Sequence, residues 1–196
     1  TPDVTLYEMV GAYSTYANKG VWTEPVYITR IEDKNGNVIF EAIPESHDVL
    51  SQDIAYAVVK LMEGVTEDGT GTRLRWGGAG FTKYNYQFTN PIAGKTGTTQ
   101  NNSDGWFMGF VPNLCTGVWV GCEDRSARFR STAMGQGATM ALPIWGLYMD
   151  KCYKDNKLNV SKEPFERPEN ITVKVDCWKA VKDTLDFDQD LDEFSF

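Results

Sequence analysis

Gly105 to Cys122 runs for eighteen residues without a charged side chain, close to the length at which an apolar helix spans a bilayer. Four glycines and a central Pro112-Asn113 interrupt it. A spanning helix would lose backbone hydrogen bonds at that pair, whereas two strands joined by a turn there need no repair. Both faces of each half are apolar: Trp106, Met108 and Phe110 against Phe107 and Val111, then Leu114, Val118 and Val120 against Cys115 and Trp119. The pattern predicts two adjacent central strands of a sheet covered on both sides.

Other elements arrange themselves around that hairpin. Residues 3–19 read as a helix with Leu6, Met9, Val10, Tyr13 and Ala17 on one stripe and Gly20 as the stop. Residues 26–40 read as a β-hairpin turning at Asn35-Gly36. Ser51 is placed to cap a second helix burying Ile54, Ala57, Val58, Leu61, Met62 and Val65. A turn at Gly69-Thr-Gly-Thr72 and an aromatic loop over 76–91 follow. Strands are expected near 92–99, 105–111 and 114–123. A last helix runs to Tyr153; because proline is tolerated only in a first turn, Pro143 predicts a start near Met140.

Composition removes several classes of function. The chain of 196 residues carries a formal charge of −8, which disfavours nucleic acid and anionic membrane as partners because both are polyanions. Six of its 27 acids lie in residues 183–196, which hold no base, so the body is nearly neutral. With His47 the one histidine, no two-histidine zinc site can form, and the four cysteines show no CxxC spacing. Asp186, Asp188, Asp190 and Asp192 are spaced like calcium ligands, but Leu191 stands where the loop needs glycine, so a solvated tail is expected. No metal and no organic cofactor is expected. The chain opens without a signal peptide or a methionine, which suggests a piece cut from something longer.

The chemistry concentrates in Ile92-Ala-Gly-Lys-Thr-Gly-Thr-Thr99. Gly94-Lys95-Thr96 matches the end of a nucleotide-binding P-loop, but Thr89 stands where its first glycine belongs, and turn residues rather than a helix follow. As a strand, the segment puts Lys95 and Gly97 on one face and Thr96 and Thr98 on the other. A cation beside hydroxyls suits a carboxylate, and a free strand edge suits an extended peptide. On the tripeptide alone, a solvated hairpin lysine is the better reading.

The wider sequence resembles the transpeptidase domain of penicillin-binding proteins, most closely the bifunctional class A enzymes. The likeness runs in order through Thr5–Gly20, Ile31–Gly36, Gly69-Thr-Gly71, Ala93–Thr99, Asp104–Pro112, Gly117–Gly121 and Ala141-Leu-Pro-Ile-Trp145, covering roughly residues 3–150. It implies an α/β fold of the β-lactamase and transpeptidase kind, an antiparallel sheet with helices packed on it. It implies a bacterial acyltransferase of peptidoglycan biosynthesis that cross-links stem peptides through a serine acyl-enzyme and binds β-lactams. Lys95, Thr96 and Gly97 would form its third motif, with Lys95 and Thr96 holding the substrate carboxylate. The Thr98 N–H would be an oxyanion-hole donor, its hydroxyl also facing the carboxylate.

The nucleophile of that family is absent from these residues. Ser14, Ser46, Ser51, Ser103, Ser126, Ser131 and Ser161 are followed three positions on by Ala17, Val49, Ile54, Trp106, Phe129, Met134 and Pro164, never by lysine, and no Ser-x-Asn occurs. Tyr16-Ala-Asn18 is better explained by packing and a helix C-cap. In the family both missing motifs precede the segment matching Thr5–Gly20, so the chain reads as the C-terminal portion of the domain. Residues 1–156 are then that portion, 157–182 a C-terminal extension and 183–196 an acidic tail. The expected partners are stem peptide, β-lactams and the missing N-terminal part of the same domain, with membrane reached only through the longer protein. The expected location is the periplasmic face of the inner membrane. Without its complement the piece should expose apolar surface and associate. Cys115 and Cys122 lie too far apart on one strand to bridge, whereas Cys152 and Cys177 can either pair or stay free. The sequons at Asn101, Asn159 and Asn170 carry no weight in a bacterial protein. The competing readings are a peptide-binding scaffold of the same fold and a P-loop nucleotide-binding protein.

Overall fold

The structure, a computed structural model, describes residues 3–78, 83–173 and 175. Its centre is an antiparallel sheet of β5 (Ala93–Thr98), β6 (Asp104–Val111) and β7 (Leu114–Gly121), in that order. Val111 pairs with Leu114, so Pro112-Asn113 is a two-residue turn, and the charge-free run is a hairpin as expected. The covering is less complete than expected. β6 is buried almost throughout, but β7 is an edge strand among the described residues and keeps partial exposure along its length.

Each face of the sheet has its own helices. On one face lie α1 (Leu6–Ala17) and α2 (Gln52–Glu67), where Val59 packs on Ala93 and Phe110. On the other lies α5 (Gly137–Lys154), which buries Leu142, Trp145 and Met149 against Phe107, Val111 and Ile92. The aromatic loop feeds the same core, with Tyr84, Tyr86 and Phe88 stacked at 5.5 and 5.3 Å between ring centroids. Two-stranded ribbons, β1 (Val21–Thr23) with β4 (Ser46–Asp48) and β2 (Arg30–Glu32) with β3 (Val38–Glu41), sit between α1 and α2 in the chain. Short helices α3 (Arg73–Trp76) and α4 (Thr132–Gly135) complete the order.

Helix α1 starts where its sequence says: Thr5 and Glu8 form a reciprocal capping box, and Asn18 is its C-cap. Three expectations are corrected. Ser51 stands at the N-cap of α2, but its hydroxyl bonds Asp53 instead of a backbone N–H. The buried stripe of α2 is Ala55, Val59, Glu63 and Thr66, leaving Ile54 and Leu61 at 44% and 68% exposure. Thr66 decides that rotation: its hydroxyl bonds the Ile92 carbonyl at 2.7 Å and accepts from Arg75 at 2.8 Å, fixing which side of α2 meets β5. Helix α5 begins at Gly137 rather than near Met140, so Pro143 lies inside it. Its early turn is pinned to the sheet, because the Gly137 N–H bonds Thr98 Oγ1 at 3.1 Å.

Beyond α5, the chain returns as a strap across the α1–α2 side. Ser161 N–H and the Asn159 carbonyl bond the Asn113 side chain, each at 2.8 Å, and Phe165 meets Phe110 edge-on at 5.6 Å. Glu166 pairs with Lys19 at 2.6 Å, and the Thr172 hydroxyl bonds Asp53. Cys177 and the acidic residues 183–196 lie outside the described residues, and with them the disulfide and calcium-loop questions. Among the described residues, Cys115, Cys122 and Cys152 form no disulfide with one another. Burial pushes the Cys115 thiol up to about 11, while Cys122 is exposed. Native alkylation at pH 7, read by peptide mass, is therefore expected to modify Cys122 well before Cys115; equal rates would contradict the packing of α1 on β7.

Candidate active site

Among the described residues, strand β5 has β6 on one side and an open edge on the other. Register then settles where its groups point. The Thr99 N–H donates to the Asp104 carbonyl at 3.2 Å, so Gly97–Trp106 and Lys95–Met108 are the hydrogen-bonded pairs. The main-chain groups of Thr96 and Thr98 consequently face the open edge. Ile92 follows the same parity, its outward carbonyl taken by Thr66.

Side chains alternate between the faces as the sequence predicts. Lys95 and Gly97 share the α1 face with Trp106, Met108, Gly117 and Trp119. They line a cleft of about 740 Å³ walled by Leu6, Met9 and Tyr13 of α1. Lys95 is exposed, and its Nζ donates to the Thr96 carbonyl at 2.8 Å, along the open edge. A Cβ on Gly97 would lie 3.0 Å from the Trp106 Cβ, so this glycine serves the close pairing with Trp106 as well as leaving the strand surface bare.

The threonines are already engaged. Thr96 Oγ1 shares a hydrogen bond of 2.7 Å with Thr70 Oγ1, from the glycine-threonine turn after α2. Thr98 Oγ1 accepts from the Gly137 N–H, which ties the strand to the start of α5. That contact is possible because residue 137 is glycine: a Cβ there would run into the carbonyl oxygens of Gly97 and Trp106. Behind the strand, Arg75 donates to the Thr66, Phe88 and Asn90 carbonyls at 3.3, 3.1 and 2.6 Å, holding the loop that leads into β5. Burial lowers the Arg75 pKa from its usual value without discharging the guanidinium at neutral pH.

Sequence reasoning grouped Lys95, Thr96, Gly97 and Thr98 correctly on one strand but missed Thr70, Gly137 and Asp104 as their neighbours. Thr70 and Gly137 carry no local signal of a contact so distant in the chain. Asp104 does carry one, as the lone acid immediately before the charge-free run. The P-loop alternative is overturned: after Thr98 the chain enters a 3₁₀ turn at Gln100–Asn102 and then β6, with no helix N-terminus to meet a phosphate. Among the described residues no cluster of histidine, cysteine and acids could hold a metal, and no helix is long and apolar enough to cross a membrane.

Comparison with known proteins places this geometry. The chain is 34% identical over 176 residues to penicillin-binding protein 1A of Aquifex aeolicus, matching 89% of this chain and 22% of that protein. It thus spans about a fifth of the length of the curated relatives it matches. Among solved structures, penicillin-binding protein 1A from Haemophilus influenzae superposes with a TM-score of 0.67 at 23% identity, over 85% of this chain and 28% of that one. At that identity the likeness speaks for the fold alone. The PonA1 protein from Mycobacterium tuberculosis in complex with penicillin V superposes at 0.65 with 27% identity, over 85% and 42% of the two chains. Residues 3–122 match the family described as penicillin binding protein transpeptidase domain. With an antiparallel sheet, helices on both faces and a Lys-Thr-Gly edge strand, the chain belongs to the penicillin-binding protein transpeptidase domain family.

Proposed function

We propose that this chain supplies one wall of the active site of a peptidoglycan D,D-transpeptidase, at the periplasmic face of the inner membrane. The observation that carries the proposal is β5, which puts an exposed Lys95 on the cleft and the Thr98 N–H at an open strand edge. A stem peptide ending in D-alanyl-D-alanine lies extended along that edge, its carboxylate at Lys95 and the Thr96 and Thr98 hydroxyls. Each hydroxyl already accepts or shares one hydrogen bond, and the O–H of Thr98 remains to be donated. A serine hydroxyl from the rest of the domain attacks the penultimate carbonyl, terminal D-alanine leaves, and an amine of a second peptide takes the acyl group. The Thr98 N–H stabilises the tetrahedral oxyanion. The uncovered side of α2, with Ile54 and Leu61, and the cleft face of the sheet are where the rest of the domain packs.

Labelling by fluorescent penicillin tests this. A full-length protein containing residues 1–196 is expected to label covalently, whereas these residues alone, with no Ser-x-x-Lys, are expected not to. Lys95→Ala in the full-length protein removes a charge-assisted hydrogen bond of about 1.5–3 kcal/mol and should slow labelling roughly tenfold to a hundredfold. Labelling of residues 1–196 by themselves would refute the division of the site. Absent labelling in the full-length protein would favour a peptide-binding scaffold that performs no chemistry.

A further inference from the structure

Two hydroxyls of β5 are each met from outside the strand. Thr70, in the turn after α2, shares a hydrogen bond of 2.7 Å with Thr96, and the Gly137 N–H at the start of α5 donates to Thr98 Oγ1 at 3.1 Å. A main-chain N–H can only donate, so it fills an acceptor position of Thr98 and leaves that hydroxyl's proton to be given elsewhere. The Thr70–Thr96 pair holds two protons and spends one of them between its oxygens. A carboxylate takes donors only. Its binding therefore selects the order in which Thr70 donates to Thr96, and Thr96, on the cleft beside Lys95, donates to the ligand.

The two suppliers are also tied to each other. Arg73, shortly beyond Thr70 in the chain, reaches α5 next to Gly137: its Nη1 donates to the Ala138 carbonyl at 3.3 Å and to Thr139 Oγ1 at 3.0 Å. Thr139 gives its own proton to the Ala133 carbonyl at 3.1 Å, which leaves it an acceptor toward the guanidinium. The contacts close a ring through Thr96, Thr70, Arg73, the first residues of α5 and Thr98, every member of it within this chain. We propose that Thr70 and Arg73 are positioning residues for the bound carboxylate. Thr70 orients the Thr96 proton, and Arg73 holds Thr70 and Gly137 at the spacing that lets both hydroxyls of β5 act together. The proposal rests on the reading of β5 as the carboxylate site and names what sets the preference of that site for a free acid.

Competition against fluorescent penicillin in the full-length protein tests this. The competitors are peptides ending in D-alanyl-D-alanine, one with its free carboxylate and one as the terminal amide. The wild type is expected to favour the free acid by about tenfold or more, the weight of a charge-assisted hydrogen bond. Thr70→Val keeps the shape of the side chain without its hydroxyl and should reduce that preference to about threefold or less. Thr70→Ser should retain the preference, and Arg73→Ala should lower it as T70V does. The ratio is taken within each protein, so a general loss of stability or of labelling rate cancels. Thr70 is exposed, so T70V leaves the core untouched. An undiminished preference in T70V, an equal loss in T70S, or the wild-type preference in R73A would each overturn the proposal while leaving the carboxylate site in place. A wild type that does not label, or that does not distinguish acid from amide, would strike the reading of β5 itself, and the proposal with it.

Discussion

Gly137→Ala is expected to cost about 3 kcal/mol of stability and to slow penicillin labelling of the full-length protein. The added methyl meets the carbonyl oxygens of Gly97 and Trp106, which are main-chain atoms inside a paired ladder. Overpacking a core usually costs about 1–3 kcal/mol because side chains can turn aside. Backbone has no such freedom, so the upper end applies. Either α5 lifts away, losing the Gly137 N–H bond to Thr98, or β5 shifts against β6; both displace the edge that carries Lys95. Gly64→Ala is the matched control. Gly64 lies inside α2, and an added methyl would meet nothing within 4 Å beyond the helix's own backbone, so alanine should stabilise by roughly 0.4–1 kcal/mol through the unfolded chain. Urea midpoints for the two variants should move in opposite directions; a shared direction would count against the close packing of α5 on the sheet.

Trp145→Ala should cost more, about 4 kcal/mol, within the range for emptying a buried aromatic site. The Trp145 side chain is fully buried, its ring edge-on to Phe107 at 5.3 Å and to Phe88 at 6.3 Å. Beneath it, Gly109 leaves no room for relaxation, since even a Cβ there would lie 2.6 Å from the indole. Among the described residues the buried indole N–H has no partner, so Trp145→Phe loses volume but also removes an unsatisfied donor. Phenylalanine is therefore expected to cost less than half as much as alanine by chemical denaturation. Equal losses would show that the N–H, rather than the ring, matters at this position.

Much of this was legible in the sequence where local rules decide. Pro112-Asn113 made a turn because neither residue extends a helix, and Thr5 with Glu8 made a cap because their spacing closes two hydrogen bonds. The strand identity of Lys95 to Thr98 followed from the turn residues behind it. What failed was decided at a distance. Periodicity alone put Ile54 and Leu61 inward, but Thr66, anchored by Ile92 and Arg75, rotates α2 the other way. Pro143 forbade an early helix start on local grounds, yet Gly137 is drawn onto the ladder by Thr98 and the helix begins there. Asp104 was visible as an isolated acid, but only the fold sets it on the same cleft floor as Lys95.

The strap after α5 has a mechanical consequence. Its grips are the Asn113 turn, the Phe110 ring, Lys19 at the end of α1 and Asp53 at the start of α2. A pull on the chain beyond residue 173 is taken up first by the grips on Asp53 and Lys19, at α2 and α1, then by those on Phe110 and Asn113 of the sheet, and only after they let go by α5. Force entering from that end would reach α1, the cleft's helical wall, through Lys19 before it reached the sheet, so tension on the chain would loosen the cleft from the side opposite Lys95.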